Sequence, residues 1–347
     1  MKYNKLGQTD INVSELCLGT MTWGTQNTQD EAFYQADTAV AAGVNFIDTA
    51  QMYPVNPLSA GTQGDSERIL GNWLAQAGRR EKVVVATKVA GNGVKYIRDG
   101  ADITRDGIMA AIDASLTSLK TDYIDLYQLH WPNRGSYHFR QNWSFDPSKQ
   151  DKAKVLENMS EVLETCAELE KAGKVRSFGL SNESAWGTAQ WLRLAEDREL
   201  PRMASIQNEY SLLCRLFDTD LAELCHNENV SLLPFSPLAT GILSGQYLDG
   251  AMPAGSRATV AKGLGGRMQP RMHTATQAYA DIAAKHGVNL VQMALAWCCT
   301  RPSMTSAIFG ARTAAQLDVI LKSVDVTLSV ECLRDIEDAH KAHPMPY

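Results

Sequence analysis

The sequence predicts a single (β/α)8 TIM barrel, and three observations support this fold class. Short β-compatible apolar runs alternate with helical stretches, giving roughly eight strand–helix units in strict alternation. The chain has 347 residues, a length that one large barrel can occupy, so we expect residues 1–347 to form one domain. An open doubly wound sheet is the alternative, but the G-x-G-x-x-G string that usually follows its first strand does not occur.

The elements can be placed in order from turn signals and periodicity. Residues 2–13 carry a polar turn between alternating runs, which predicts an N-terminal β-hairpin that caps one end of the barrel. The predicted strands are 15–18, 44–47, 83–86, 123–129, 175–180, 204–206, 230–234 and 306–309. The predicted helices are 29–42, 66–77, 104–119, 156–169, one ending near Leu200, 216–225, 275–286, 290–299, one opened by a capping box at Thr313–Gln316, and 329–340.

Composition narrows the function classes. The net charge of −6 argues against non-specific binding of nucleic acid or of a polyanionic membrane surface. No apolar run reaches the roughly 20 residues of a transmembrane helix, and residues 1–10 are too polar for a signal peptide, so we expect a cytoplasmic protein. The seven scattered cysteines predict reduced thiols rather than a disulfide framework or a zinc site. Nothing in the sequence predicts an oligomeric state.

Four polar residues stand at the tips of successive predicted strands or just beyond them: Asp48, Tyr53, Lys88 and His130. Each alone has an ordinary explanation, such as a turn cap, a packed phenol, a surface lysine or a core histidine. Because a barrel gathers the carboxyl ends of its strands at one mouth, their common position predicts an active site there.

These residue types suit proton donation to a carbonyl oxygen. A tyrosine has a reference pKa of about 10, and a nearby ammonium favours the phenolate, so we expect Lys88 to lower the pKa of Tyr53. A partly buried ammonium needs an anion, for which Asp48 is the candidate, and His130 could orient the carbonyl oxygen. This set predicts protonation of a developing alkoxide during carbonyl reduction by hydride.

The chain resembles the aldo-keto reductase family, especially its bacterial Tas-type members and the related potassium-channel β-subunit branch. The resemblance covers nearly the whole chain and rests on strings that occur in order: Leu-Gly-Thr-Met at 18–21, Asp-Thr-Ala-x-x-Tyr at 48–53, Thr-Lys-Val at 87–89, Gln-Leu-His-Trp-Pro at 128–132, Gly-Leu-Ser-Asn at 179–182, Ile-Gln-Asn at 206–208 and Phe-Ser-Pro-Leu at 235–238.

The resemblance implies NADP(H) as cofactor, bound without a Rossmann unit, and it implies roles for particular residues. Tyr53 would be the general acid, Asp48 and Lys88 would tune it, and His130 would position the carbonyl. Phe235 would stack on the nicotinamide, and Arg257 would lie near the 2′-phosphate. The full set of implied cofactor contacts is Gly19, Thr20, Met21, Asp48, Ser181, Asn182, Gln207, Phe235, Ser236, Pro237, Leu238, Ala239, Thr240, Gly241, Leu243, Ser244, Arg257, Gly310, Arg312 and Gln316.

Three positions depart from the family pattern at the adenosine end. Gln246 stands where the channel-subunit branch tends to have lysine, and Val319 and Ile320 replace the usual Glu-Asn pair that contacts adenine. The cofactor preference is therefore less strongly indicated than the carbonyl chemistry. For the substrate, a small-molecule carbonyl compound, we expect a pocket formed by Trp23, Met52, Tyr53, His130 and Trp131, since barrel loops set specificity. The sequence does not predict a role for either of the long loops 131–152 and 239–272.

Two functional classes follow from the sequence. The first is an NADPH-dependent reductase of aldehydes or ketones. The second is an NADP(H)-binding regulatory or sensor protein on the same fold, with slow or incidental turnover. His130 favours the enzyme, because the channel branch typically carries asparagine at that position. A metal-dependent barrel hydrolase is a distant third, since no cluster of metal ligands is visible, and we expect no metal site.

Overall fold

A computed structural model describes all residues from Met1 to Tyr347. Its first two strands, β1 (Tyr3–Lys5) and β2 (Asn12–Ser14), form the predicted antiparallel hairpin. Eight parallel strands follow: β3 (Leu16–Gly19), β4 (Phe46–Asp48), β5 (Val84–Val89), β6 (Leu126–Leu129), β7 (Phe178–Ser181), β8 (Met203–Gln207), β9 (Ser231–Leu232) and β10 (Ala307–Phe309). The fold class predicted from the sequence is confirmed.

The sheet curls so that its last strand meets its first. Neighbouring strands follow chain order from β3 to β9, and β10 pairs with β3. The circle closes through parallel bridges between Leu232 and Met304 and between Phe235 and Ile308. The Ile308 amide also donates to the Pro234 carbonyl over 2.8 Å. All eight strand tips therefore point to one face, which is where a barrel places its site.

Eleven helices surround the strands. They are α1 (Gln29–Ala41), α2 (Asp65–Leu74), α3 (Arg105–Leu119), α4 (Lys152–Lys171), α5 (Ala185–Asp197), α6 (Asp220–Asn227), α7 (Arg257–Val260), α8 (Pro270–Lys285), α9 (Leu290–Cys299), α10 (Ala314–Leu321) and α11 (Val330–Ala342). The capping box that the sequence predicts is present at α10, where Thr313 and Gln316 satisfy each other's backbone amides.

Two boundaries differ from the sequence predictions for reasons of proline chemistry. The strand predicted at 230–234 is reduced to Ser231–Leu232, because Pro234 has no amide to continue the ladder. Helix α8 begins at Pro270, five residues before the predicted start, since proline is well tolerated in the first turn of a helix. The long loop before α8 also contains short helical turns, including α7.

The barrel interior is closed at the end opposite the strand tips. Leu6, Ile11 and Val13 of the hairpin are buried in one small apolar cluster with inward-facing residues such as Phe46 and Leu126. A separate cluster of 70 buried residues fills the layer between strands and helices. Because the hairpin covers the end of the barrel opposite the strand tips, ligands can reach the barrel axis only from the face where the strands end.

A glycine at the contact between α2 and α3 provides a test of this packing. A Cβ on Gly71 would overlap the Ser118 carbonyl oxygen and lie 2.8 Å from the backbone of Leu119. We expect Gly71→Ala to lower the free energy of unfolding by about 1–3 kcal/mol, although alanine favours helix. Urea denaturation measures this, with Gly61→Ala as the control because the nearest atom to its Cβ is 3.6 Å away. An unchanged denaturation midpoint would contradict the packing described.

Candidate active site

Strand register brings the predicted catalytic residues together at the open face. Asp48 ends β4 beside Gly19, the last residue of β3, and Lys88 in β5 lies opposite Gln128 in β6. Lys88 Nζ is 2.6 Å from Asp48 Oδ2, and this pair is buried. Asp48, Tyr53 and Lys88 therefore meet although they come from two strands and a loop.

Every donor and acceptor of the buried ion pair has a partner. Lys88 donates to Asp48, to the Thr49 carbonyl over 2.7 Å and to the Tyr53 hydroxyl over 3.4 Å. The other Asp48 oxygen accepts from the side-chain amides of Gln128 at 3.1 Å and Gln207 at 2.9 Å. Burial, the largest single influence, would lower the pKa of Lys88, but Asp48 and Tyr53 together outweigh it and raise that pKa above its usual value. The Lys88 side chain therefore stays protonated beside the Tyr53 phenol.

The pKa of Tyr53 is shifted in the direction opposite to the one predicted from the sequence. Burial raises this pKa and outweighs the lowering caused by Lys88, so it lies above the usual value for a phenol. Lys88 lowers this pKa as predicted, but the expected net lowering was wrong because sequence alone did not show how completely the ring is enclosed. The consequence is that the Tyr53 hydroxyl carries its proton at neutral pH and is available as a donor.

His130 is a neutral imidazole beside this phenol. Its ring centroid is 5.7 Å from that of Tyr53 in an edge-to-face arrangement. Burial, assisted by the charge of Lys88, holds the pKa of His130 well below its usual value. The Nδ1 atom is buried without a hydrogen-bond partner. Since unpaired buried polar atoms are costly, this ring is a candidate for contact with a ligand oxygen.

This electrostatic setting predicts a histidine that does not titrate in the usual range. In ¹⁵N-histidine NMR spectra, we expect the His130 signals to keep the neutral pattern between about pH 5.5 and 8. The signals are assigned as those missing from His130→Asn. A titration midpoint near the ordinary histidine value would contradict the burial and charge described here.

An apolar wall adjoins the phenol on one side. Met52, Tyr53 and Ala90 are buried in one small cluster, against which Met21 and Trp131 pack. The Trp131 ring is 4.9 Å from that of His130. Trp23 is placed elsewhere: it is fully buried in the main core and its indole N–H donates to Gln35 over 3.0 Å. Its placement argues against the predicted role of Trp23 in the substrate pocket.

Three of the expected cofactor contacts, Ser181, Asn182 and Gln207, lie together at the ends of β7 and β8. Ser181 donates to the Gln207 carbonyl over 2.8 Å, and the Asn182 side-chain amide donates to the His130 carbonyl over 2.9 Å. Asn182 Oδ1 is buried without a partner, as is Thr20 Oγ1 at the tip of β3. The free Asn182 oxygen suits the NH₂ of a nicotinamide carboxamide, so this part of the site fits a pyridine nucleotide.

The segment after β9 runs as irregular backbone along the same face. Phe235 is half-buried, its amide donates to the Asn208 carbonyl over 3.0 Å, and its carbonyl accepts from the Tyr210 amide. A short 3₁₀ segment spans Ala239–Ser244, with left-handed backbone at Thr240. The expected contacts Ser236, Pro237, Leu238, Gly241, Leu243 and Ser244 belong to this stretch; the Leu243 side chain is fully buried, which leaves only its backbone for a ligand.

Arg257, the first residue of α7, is a cation without an anion. Its guanidinium has no carboxylate partner, and its only side-chain contact of hydrogen-bond type is with Met21 Sδ at 3.9 Å. Burial first, and then repulsion from Arg267, lowers the pKa of Arg257 to about 10. A guanidinium held beside other cations in this way fits an anionic group such as a phosphate.

The remaining expected contacts lie around the loop after β10. Gly310 follows β10 and is exposed, and Gln316 is engaged by its side chain in the cap of α10. Arg312 donates to the Gly255 carbonyl, which ties this loop to the segment that carries Arg257. Ile320 is buried in the core and Val319 is half-buried. Both side chains are hydrocarbons, so neither can form a hydrogen bond to adenine.

Sequence reasoning assigned no role to Gln128, Arg140, Glu209 or Arg267. Gln128 is fully buried and donates a hydrogen bond to Asp48. An amide side chain within an otherwise apolar strand was the sequence signal that could have indicated this role. Glu209 follows Gln207 and Asn208 directly, so an acid beyond a strand tip was also visible. Its partners Arg140 and Arg267 lie 69 and 58 residues away in the chain, and no local pattern links them to it.

No group of three or more potential metal ligands occurs, and no helix is long and apolar enough to cross a membrane.

The barrel and the residues at its open face fit a nicotinamide-dependent oxidoreductase, and comparison with known proteins gives the family. The model of the aldo/keto reductase family matches residues 15–341, and the chain belongs to that family. It is therefore an enzyme of the oxidoreductase class that uses a nicotinamide nucleotide.

Several relatives match along nearly their whole length. The protein Tas of Escherichia coli is 42% identical over all of this chain and 99% of its own. An uncharacterized oxidoreductase, YrpG, of Bacillus subtilis is 32% identical over 97% of this chain and 95% of its own. A probable voltage-gated potassium channel subunit beta of Arabidopsis thaliana is 29% identical over 94% of this chain and 92% of its own. The predicted resemblance is thus confirmed.

Proposed function

We propose that this protein reduces an aldehyde or ketone to the alcohol, with NADPH as reductant and Tyr53 as general acid. The observation that carries the proposal is the buried chain from Asp48 through Lys88 to the Tyr53 hydroxyl, with distances of 2.6 and 3.4 Å. When bound, the nucleotide supplies the hydride. The protein residues supply the proton and the polar environment for the oxygen.

Proton transfer leaves Tyr53 as a phenolate in a buried position. The Lys88 ammonium donates to that oxygen and stabilises the negative charge as it forms, while Asp48 keeps the ammonium in place. The raised pKa of Tyr53 ensures that the proton is present before reaction. His130, neutral and unpaired at Nδ1, supplies a second donor that positions the carbonyl oxygen beside the phenol.

NADP(H) is proposed over NAD(H) because of Arg257. In Arg257→Met we expect the Kd for NADPH to rise about 10- to 100-fold, since a charge-assisted hydrogen bond contributes about 1.5–3 kcal/mol. The Kd for NADH, which lacks the 2′-phosphate, should change little. Fluorescence titration measures both constants, and Arg193→Met, at an exposed arginine paired with Asp197, is the control. Equal weakening of both nucleotides would refute this role.

A cofactor-sensing role on the same fold is the competing proposal, supported by the similarity to a protein named as a probable potassium channel β-subunit. NADPH oxidation with aromatic, aliphatic and dicarbonyl compounds separates the two. Steady turnover with at least one class supports the reductase. NADPH binding without oxidation by any carbonyl would favour the sensor.

The cytoplasmic location stays a prediction, as do the single domain and the small-molecule carbonyl partner.

A further inference from the structure

The residue that follows β7 carries a side-chain oxygen with a fixed orientation and no partner. Asn182 is buried, and its Oδ1 atom accepts no hydrogen bond. Its Nδ2 atom donates to the His130 carbonyl over 2.9 Å and to Ser181 Oγ over 3.0 Å. Because a carbonyl oxygen can only accept, the NH₂ must lie on that side. The Asn182 oxygen is therefore the part of this amide that is left for a ligand.

The backbone of Asn182 is held from two sides. Its φ of +53° lies in the left-handed region, which is less favourable for residues other than glycine and so needs support from neighbouring contacts. On one side, its amide donates to the Gln207 carbonyl at the end of β8 over 3.0 Å. On the other side, its carbonyl accepts from Ser136 Oγ over 2.8 Å, and Ser136 is buried as well.

A second side chain of the loop between β6 and α4 bonds the next carbonyl along the chain. His138 Nε2 is 2.9 Å from the Glu183 carbonyl oxygen, so this nitrogen carries the ring proton. Burial lowers the pKa of His138, which keeps the ring neutral. The His138 amide also donates to Ser136 Oγ over 3.3 Å. Ser136 and His138 thus bond two consecutive carbonyls of the segment that presents Asn182.

A buried ion pair fixes the loop itself to the same segment. Arg134 donates to both carboxylate oxygens of Glu183, over 2.9 Å from Nη1 to Oε2 and from Nη2 to Oε1. The Arg134 and Glu183 side chains are 7% and 2% exposed. A Cβ on Gly187 would overlap both partners, so this pair fills the available space. The loop is therefore anchored next to the point where Ser136 and His138 reach the end of β7.

We propose that Ser136 and His138 are positioning residues for the nicotinamide carboxamide. They hold the backbone of Asn182 and Glu183 so that Asn182 Oδ1 can accept from the carboxamide NH₂. This inference rests on the proposed function, because it takes the nicotinamide to bind at Asn182. Both residues act through Asn182, and neither takes part in hydride or proton transfer.

The test compares two nucleotides that differ in one hydrogen-bond donor. Calorimetric titration gives the Kd for NADP⁺ and for its 3-acetylpyridine analogue, in which a methyl group replaces the carboxamide NH₂. In Ser136→Ala we expect the Kd for NADP⁺ to rise about 3- to 10-fold, the scale of one weakened hydrogen bond. The Kd for the analogue should stay within about 2-fold of the native value, because the analogue has no NH₂ to donate to Asn182.

A second variant tests the contribution of the histidine. His138→Phe keeps a ring but has no N–H for the Glu183 carbonyl. Because Glu183 is one residue further from the free oxygen, we expect a smaller rise in the Kd for NADP⁺, roughly 2- to 5-fold. The Kd for the 3-acetylpyridine analogue should again be close to native.

The matched control is Ser306→Ala, at the opposite end of the barrel. Ser306 is buried and its hydroxyl donates to the Ser14 carbonyl over 2.6 Å, so this variant loses the same kind of hydrogen bond as Ser136→Ala. Its Kd values for both nucleotides should be native, whatever its loss of stability.

A purely structural role for Ser136 would weaken both nucleotides by the same factor in Ser136→Ala, and that result overturns the inference. Native Kd values for both nucleotides overturn it too. If Ser136→Ala does not fold, His138→Phe decides by the same two criteria. Failure of the native protein to bind NADP⁺ would refute the proposed function itself, and this inference with it.

Discussion

Tyr53→Phe is expected to lower kcat for carbonyl reduction by about 10³-fold, the scale of a lost general acid. The substitution removes the one hydroxyl that faces Lys88 and keeps the ring that packs with Met52 and Ala90. The fold and the Kd for NADPH should therefore be nearly native. Steady-state kinetics with the best carbonyl substrate and NADPH titration measure the two quantities.

The control for this substitution is Tyr3→Phe, at a half-exposed tyrosine whose hydroxyl donates to the Gly43 carbonyl. Its kcat should be native. If Tyr53→Phe retained kcat within a few fold, another group would have to donate the proton, and the role assigned to the buried chain of Asp48, Lys88 and Tyr53 would be wrong.

Lys88→Met is expected to damage both stability and activity. It leaves the Asp48 carboxylate buried with only two amide donors, Gln128 and Gln207, and breaking a buried pair in this way costs roughly 3–5 kcal/mol. Activity should fall at least about 10²-fold, because no cation remains to stabilise the phenolate. Chemical denaturation and kcat measure the two effects separately.

A double variant distinguishes the two consequences of losing Lys88. Asp48→Asn combined with Lys88→Met removes both charges, so much of the lost stability should return while kcat stays low. Lys322→Met, at an exposed lysine paired with Asp318, serves as the control and should be close to native in stability. Recovery of kcat in the double variant would show that the ammonium is not needed for proton transfer.

The sequence predicted the barrel and the meeting of Asp48, Lys88 and Tyr53 because both depend on a simple rule. Parallel strands end at one face, so a polar residue at a strand tip has a known location even when its partners are far away in the chain. Register then brought Lys88 opposite Gln128 and Asp48 beside Gly19. The N-terminal hairpin was predicted equally directly, from the polar turn between alternating apolar and polar residues in the segment 2–13.

Properties that depend on enclosure could not be predicted in the same way. The pKa of Tyr53 balances burial against the charge of Lys88, and sequence revealed only the second contribution. Trp23 follows a strand tip as Met21 does, yet its indole turns into the core towards Gln35. The contacts of Glu209 with Arg140 and Arg267 depend on how two long loops fold over the barrel, and loop conformation is not encoded in hydrophobic periodicity.

In the proposed reaction, hydride and proton reach one carbonyl group at the site formed by Tyr53 and His130. The most direct measurement uses NADPH deuterated at the transferring C4 position, with the alcohol product analysed by mass spectrometry and NMR. We predict one deuterium on the carbinol carbon in the native protein, and a product yield lowered by about 10³-fold in Tyr53→Phe. Alcohol without deuterium, or bound NADPH that no carbonyl oxidises, would contradict the claim.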